Sequence, residues 1–155
     1  MKILVISDSH RFIQNLIQIL ETNIDADQII FLGDGEDDIE ECEYIFPELR
    51  SGRLITVSGN CDCSMTSTRA LAELSGHRLF CTHGHVQNVK RGLSLLEEAA
   101  RKNQCDIALF GHTHQAFYEE RDGIHLFNPG SVADGKYGII RMEDDGRVTF
   151  SHREI

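Results

Sequence analysis

Ile29-Ile30-Phe31-Leu32-Gly33-Asp34 is an apolar run of four residues that stops at a glycine and then a carboxylate. A short run of this kind reads as a buried strand, and the glycine as its sharp exit. The carboxylate then falls at the carboxyl end of a strand, where open α/β sheets place their ligands. The pattern recurs. Ile3-Leu4-Val5-Ile6 leads to Asp8-Ser9-His10, and Leu54-Ile55-Thr56-Val57 leads to Gly59-Asn60. Leu79-Phe80-Cys81 leads to His83-Gly84-His85, and Ile107-Ala108-Leu109-Phe110 leads to Gly111-His112-Thr113-His114. We expect these five strand ends to meet, with Asp34 at their centre.

The rest of the chain fits around those strands. Apolar spacing predicts helices over Phe12–Leu20, Glu36–Phe46 (ended by Pro47) and Asn88–Lys102. Ala70–Leu74 and Arg78–Thr82 flank Ser75-Gly76-His77 and predict a hairpin. Two more hairpins are expected around Asp122-Gly123 and Asp145-Gly146, because Asp-Gly between alternating runs is a hairpin signal. Cys61–Thr68 reads as a polar loop beside the site, and Asn128-Pro129-Gly130-Ser131 as punctuation between strands. Strands alternating with helices, then hairpins, predict one mixed α/β domain over residues 1–155, with two sheets.

Composition narrows the function. A net charge of −10 argues against broad binding to nucleic acid or anionic membrane. It leaves a phosphate substrate open, since bound divalent ions reverse the sign locally. No run approaches the length of a membrane-spanning helix, and Met1-Lys2 is followed by too short an apolar stretch for a secretory signal. Cys42, Cys61, Cys63, Cys81 and Cys105 form no framework and no CxxC. Reduced thiols and a cytoplasmic setting are expected.

The chemistry concentrates at the strand ends. Asp8, His10, Asp34, Asn60, His83, His112 and His114 supply carboxylate, imidazole and amide oxygen. That mixture suits divalent Mn, Fe or Zn rather than a thiolate zinc site. Residues two apart project to one side of a strand, so Asp8 with His10, and His112 with His114, are each expected to aim at one place. Seven candidate ligands exceed one tetrahedral ion and suit two ions sharing a carboxylate. Such a pair clamps a phosphate and acidifies a water between its ions, so hydrolysis needs no protein nucleophile. His77, His125 and His152 read as structural or exposed. Glu36, Asp37, Asp38, Glu40 and Glu41 read as the solvated face of a helix, and the thiols of Cys61 and Cys63 as loop residues without function.

These five motifs, in this order, resemble those of the calcineurin-like metallophosphoesterases. The length, Gly59-Asn60-Cys61-Asp62 and Asn128-Pro129-Gly130-Ser131 look like the small YfcE-type phosphodiesterases. The resemblance implies an α/β/β/α sandwich of two mixed sheets. It implies that Asp8, His10 and His114 hold one ion, that Asn60, His83 and His112 hold the other, and that Asp34 bridges them. The implied metals are two divalent ions, Mn²⁺ first, with Fe, Zn or Ni as substitutes. The implied activity is hydrolysis of small phosphodiesters through a metal-bridging hydroxide. Phosphomonoester or phosphoprotein hydrolysis at the same site is the alternative, and a noncatalytic scaffold like the retromer subunit of this fold a remoter one. Partners would be a small phosphodiester, without membrane or long nucleic acid; a homo-oligomer stays open.

Two departures stand out. Larger relatives carry His where this chain has Cys61, and that His is thought to protonate the leaving group. A thiol is a poor substitute unless its pKa is shifted, so the role passes to His10, His85 or a metal-bound water, or is unnecessary for good leaving groups; Asn60, His85 and Cys61 are the catalytic candidates. The basic residue that often follows the bridging motif is replaced by Asp38, which leaves Arg11 or Arg69 to contact the phosphate.

Overall fold

The computed structural model describes residues 1–63 and 65–155. Ser64, inside the expected Cys61–Thr68 loop, lies outside the described residues.

Strand β1 (Lys2–Ile6) is apolar along its length because both of its faces are covered. Leu4 and Ile6 join one core, while Ile3 and Val5 join another on the opposite face. Strand β2 (Gln28–Phe31) divides the same way: Ile29 and Phe31 face outward with Leu4, and Ile30 and Leu32 face inward with Ile3. With β3 (Leu54–Thr56) these strands run parallel. Helices α1 (Ile13–Thr22) and α2 (Glu36–Ile45) cover the outer face through Leu16, Ile19, Leu20, Ile39 and Cys42.

The second sheet contains β4 (Arg69–Leu74), β5 (His77–Thr82), β6 (Ile107–Leu109), β7 (Phe117–Arg121) and β8 (Ile124–Asn128) in the order β4-β5-β6-β8-β7. Strands β5, β6 and β8 are parallel, and β4 and β7 close the edges antiparallel. Leu79, Cys81, Ile107, Leu109 and Phe127 face the first sheet. Phe80, Ala108, Phe110 and Leu126 face α3 (Ser94–Lys102). Strands β9 (Lys136–Met142) and β10 (Val148–Glu154) extend the first sheet to the order β10-β9-β1-β2-β3. The result is the expected α/β/β/α sandwich of two mixed sheets.

The three hairpins form where Ser75-Gly76, Asp122-Gly123 and Asp145-Gly146 stand. The third helix is shorter than its apolar spacing predicts. Val89–Arg91 makes a separate 3-10 turn, and Gly92 follows at φ 143°. That backbone conformation interrupts a helical ladder and is open mainly to glycine. Among the described residues, no helix is long and apolar enough to cross a membrane.

Candidate metal centre

The strand ends do meet. Beyond the β1–β2 ladder, the Asp8 N–H donates to Gly33 O at 2.9 Å and the His10 N–H to Asp34 O at 3.2 Å. The Gly111 N–H donates to His83 O at 3.0 Å, which joins the loop after β6 to the loop after β5. The first and second sheets are tied together where His83 Nδ1 donates to Leu32 O at 2.8 Å.

The candidate ligands do not lie on extended strand as their spacing suggests. Asp8, His10, Asp34, His112 and His114 all have left-handed backbones, with φ of 57°, 43°, 58°, 68° and 59°. Non-glycine residues adopt this region at a cost, and such residues cluster at functional sites. The turns also redirect one pair. Asp8 and His10 do converge, but His112 and His114 part company. His114 joins Asp8 and His10, whereas His112 joins Asp34 and His83.

Within each group the donor atoms lie within 4.8 Å of one another. Asp8 is fully buried, and its two oxygens differ. Oδ2 accepts from Ser7 Oγ at 2.5 Å and from the His112 N–H at 3.1 Å. Oδ1 has no hydrogen-bond partner, yet lies 3.2 Å from His114 Nε2 and 3.7 Å from His10 Nε2. Asp34 is split likewise. Its Oδ1 accepts the Cys61 N–H at 2.8 Å, while Oδ2 is 3.3 Å from His83 Nε2 and 3.7 Å from His10 Nε2. Imidazole nitrogens also crowd together, with His10 Nε2 and His114 Nε2 3.2 Å apart and His83 Nε2 and His112 Nδ1 3.2 Å apart.

An orphaned, buried carboxylate oxygen is costly without a cation. Here two buried carboxylates and two imidazole pairs present lone pairs to one space. The donor set therefore fits divalent metal.

Electrostatics point the same way. Burial would favour a neutral Asp34, but the contacts with His83 and the Cys61 N–H outweigh it and hold the carboxyl well below its usual range. Burial would push the His83 imidazole down, yet Asp34 and Asp8 raise it. Because His83 Nδ1 carries the proton donated to Leu32, the atom those carboxylates act on is Nε2. A proton and a metal would compete for that atom. His112 is pushed down by burial, then by His83 and Lys90.

The catalytic candidates border the ligand groups. Asn60 is exposed, and its Nδ2 lies 3.3 Å from Cys61 Sγ. The His85 ring centroid is 5.5 Å from that of His83 and 6.2 Å from that of His112, and its Nδ1 is buried without a partner. Burial, then His83, lowers its pKa. The Cys61 thiol is pushed up by burial, then by Asp34. Beside the centre is a cavity of about 620 Å³, whose lining includes His10, Arg11, Asp34, Asp37, Cys61 and Cys63. Arg11 is exposed and reaches Asp37 at 3.9 Å.

Several residues support the centre without being candidate ligands. Asp38 is not on a solvated face: it is buried and accepts from Ser9 Oγ at 2.6 Å and the Arg11 N–H at 2.8 Å, fixing the turn that carries His10. Asp62 accepts four backbone N–H groups, from Asp34, Gly35, Glu36 and Gly59. The Asn128–Ser131 turn is more than punctuation. Asn128 Nδ2 donates to Gly111 O at 2.9 Å, and Ser131 Oγ donates to Asp8 O at 2.9 Å. The remaining histidines are structural, as expected: His77 pairs with Asp106 at 2.6 Å, His125 is tilted against Phe150, and His152 stacks on Phe127.

Known proteins resemble this chain in sequence and in fold. A probable metallophosphoesterase of Bacillus subtilis, YsnB, is 31% identical over 153 residues, covering 94% of this chain and 86% of its own. The Escherichia coli phosphodiesterase YfcE is 36% identical over 95 residues, which cover 56% of this chain and 48% of that protein. A solved archaeal phosphodiesterase superposes with a TM-score of 0.76 at 23% identity, over 99% of this chain and all of that one, and so shares the fold. The family model described as the calcineurin-like phosphoesterase superfamily domain matches residues 1–144, and the chain belongs to that superfamily.

Proposed function

We propose that this chain is a two-metal phosphodiesterase acting on small phosphodiesters. One observation carries the reading: Oδ2 of Asp34 lies between two imidazole groups, 3.3 Å from His83 and 3.7 Å from His10. Asp8, His10 and His114 would hold one divalent ion, and Asn60, His83 and His112 the other, with Asp34 serving both. Mn²⁺ is the first choice for this set, with Fe, Zn or Ni as substitutes. Bound there, the ions would supply charge for the phosphate and activation for a water.

The chain's own residues do the rest. Leu32 O and the Asp8 contacts fix the imidazoles and the carboxylate before substrate arrives, so little reorganisation is needed. His85, beside His83 and His112, would contact the phosphate or pass a proton to the leaving oxygen. Cys61 is the second candidate for that proton.

A diester is favoured over a monoester on charge. Asp38 stands where larger relatives carry a basic residue, and its carboxylate accepts from Ser9 Oγ and the Arg11 backbone N–H. A monoester dianion needs more positive contact than a diester monoanion. Net charge of −10 disfavours long nucleic acid. The five free cysteines support a reducing, cytoplasmic setting.

The test is a panel of diesters, matched monoesters and cyclic nucleotides on Mn²⁺-loaded protein, with chelator controls. Diester turnover above monoester turnover is expected. Protein with measured Mn²⁺ that cleaves neither class would overturn the proposal.

A further inference from the structure

The loop after β3 brings a thiol to the metal centre. A sulfur of Cys61, a ring nitrogen of His10 and a carboxylate oxygen of Asp34 lie within 4.8 Å of one another. Cys61 is exposed, so an ion can reach it, whereas Cys42, Cys81 and Cys105 are buried. Its backbone is held in place, because its N–H donates to Asp34 Oδ1 at 2.8 Å. The next residue, Asp62, is itself fixed by four N–H donors. A second observation points to a ligand here. Asp8 Oδ1, fully buried and without a hydrogen-bond partner, lies 3.7 Å from His10 Nε2, and so faces the imidazole that the Cys61 group shares with the rest of the centre.

We infer that Cys61, with His10 and Asp34, forms a thiophilic cation site on the open side of the centre, taking Cd²⁺ or Zn²⁺ through sulfur. The inference rests on the two-metal reading and adds a ligand to it. Nitrogen and oxygen donors alone suit Mn²⁺, and a thiolate shifts preference toward softer ions. Binding exchanges one bond for another: the S–H bond breaks, its proton leaves to solvent, and a sulfur–metal bond forms. No oxidant is involved. The centre would then discriminate among metals by whether sulfur is engaged, and a soft ion there would displace the Mn²⁺ needed for turnover.

Cd²⁺ titration of the metal-free full-length protein tests this. Thiolate-to-cadmium charge transfer should appear in the ultraviolet and saturate. Cys61→Ser should lose the band, while Cys63→Ser keeps it, since Cys63 is also exposed but lies outside the donor group. Even supporting residues of metal sites are worth roughly 10–100-fold in affinity, so competition of Cd²⁺ against Mn²⁺ should weaken by at least about tenfold in Cys61→Ser. Cadmium binding without the band, or a band that survives Cys61→Ser, overturns the inference. If the protein binds Mn²⁺ and cleaves diesters yet shows no band, only the thiol ligand fails. If it binds neither ion, the two-metal reading fails with it.

Discussion

Asp62 accepts the backbone N–H of Asp34 at 2.8 Å, so the loop after β3 holds the loop after β2 in its left-handed turn. Each oxygen of this carboxylate serves two donors. Oδ2 takes Asp34 and Gly59, and Oδ1 takes Gly35 and Glu36. Burial opposes the charge, but those N–H groups keep the carboxyl below its ordinary value of 3.8.

Asp62→Asn is therefore not conservative. One oxygen becomes an NH₂ group that faces two donors. Charge-assisted hydrogen bonds of this kind are worth about 1.5–3 kcal/mol, so a loss of about 2–3 kcal/mol is expected. In a chain of this size that lowers Tm by roughly 4–12 °C. Thermal unfolding of the metal-free variant checks it, and an unchanged Tm would refute the anchoring role.

Gly59 makes room for the Asp34 carboxylate by being small. A Cβ there would collide with Asp34 Oδ1 and with the Asp34 backbone nitrogen. Gly59→Ala must push one loop from the other, at the roughly 1–3 kcal/mol typical of overpacking. Mn²⁺ affinity should fall with stability, since the displaced atoms belong to Asp34. Calorimetric titration beside thermal melts reads both, and wild-type affinity in Gly59→Ala would show that the contact does not position the ligand.

The five thiols divide by burial. Cys42 is pushed up to about 12 by burial and then by Asp38 and Glu41, and Cys81 to about 12 by burial and then by Cys105. A raised thiol pKa lowers the thiolate fraction at every pH below it, so these groups stay protonated in neutral solution. Cys105 is buried as well. Near about pH 8, where ordinary thiols begin to ionise, native metal-free protein should react with a disulfide reagent only at Cys61 and Cys63. The other three should react after unfolding. Prompt modification of Cys42 or Cys81 would contradict their burial.

What could be read from the sequence was whatever its residue types declare. Ile3–Ile6 and Ile29–Leu32 announce themselves as doubly covered strands because alternate side chains fill two different cores. Asp8, His10, His83, His112 and His114 announce metal chemistry because imidazoles are scarce and these sit at strand ends. Asp62, Asp38 and Ser131 give no such signal. They act on partners 28, 29 and 123 residues away, through carboxylate and hydroxyl groups of types that recur all along the chain. Gly92 sits inside an amphipathic pattern, so the apolar spacing carried the third helix too far toward its start. The left-handed turns at Asp8 and His112 are invisible for a related reason: neither residue is the glycine that normally marks them. For the same reason the parting of His112 from His114 does not follow from their two-residue spacing.

Asp34→Asn is the sharpest test of the centre. The side chains have nearly the same shape, so the sandwich should fold. Oδ1 can still accept the Cys61 N–H, which places the new NH₂ at the position of Oδ2. A donor then faces His83 and His10 where an acceptor stood, and the negative charge is gone. If one carboxylate serves both ions, both should weaken together. Metal analysis after gel filtration should show Mn²⁺ falling from about two ions per chain toward none. If only one ion is lost, Asp34 belongs to one group alone, and Asp8 Oδ1, 3.9 Å from His83 Nε2, becomes the candidate for the shared position.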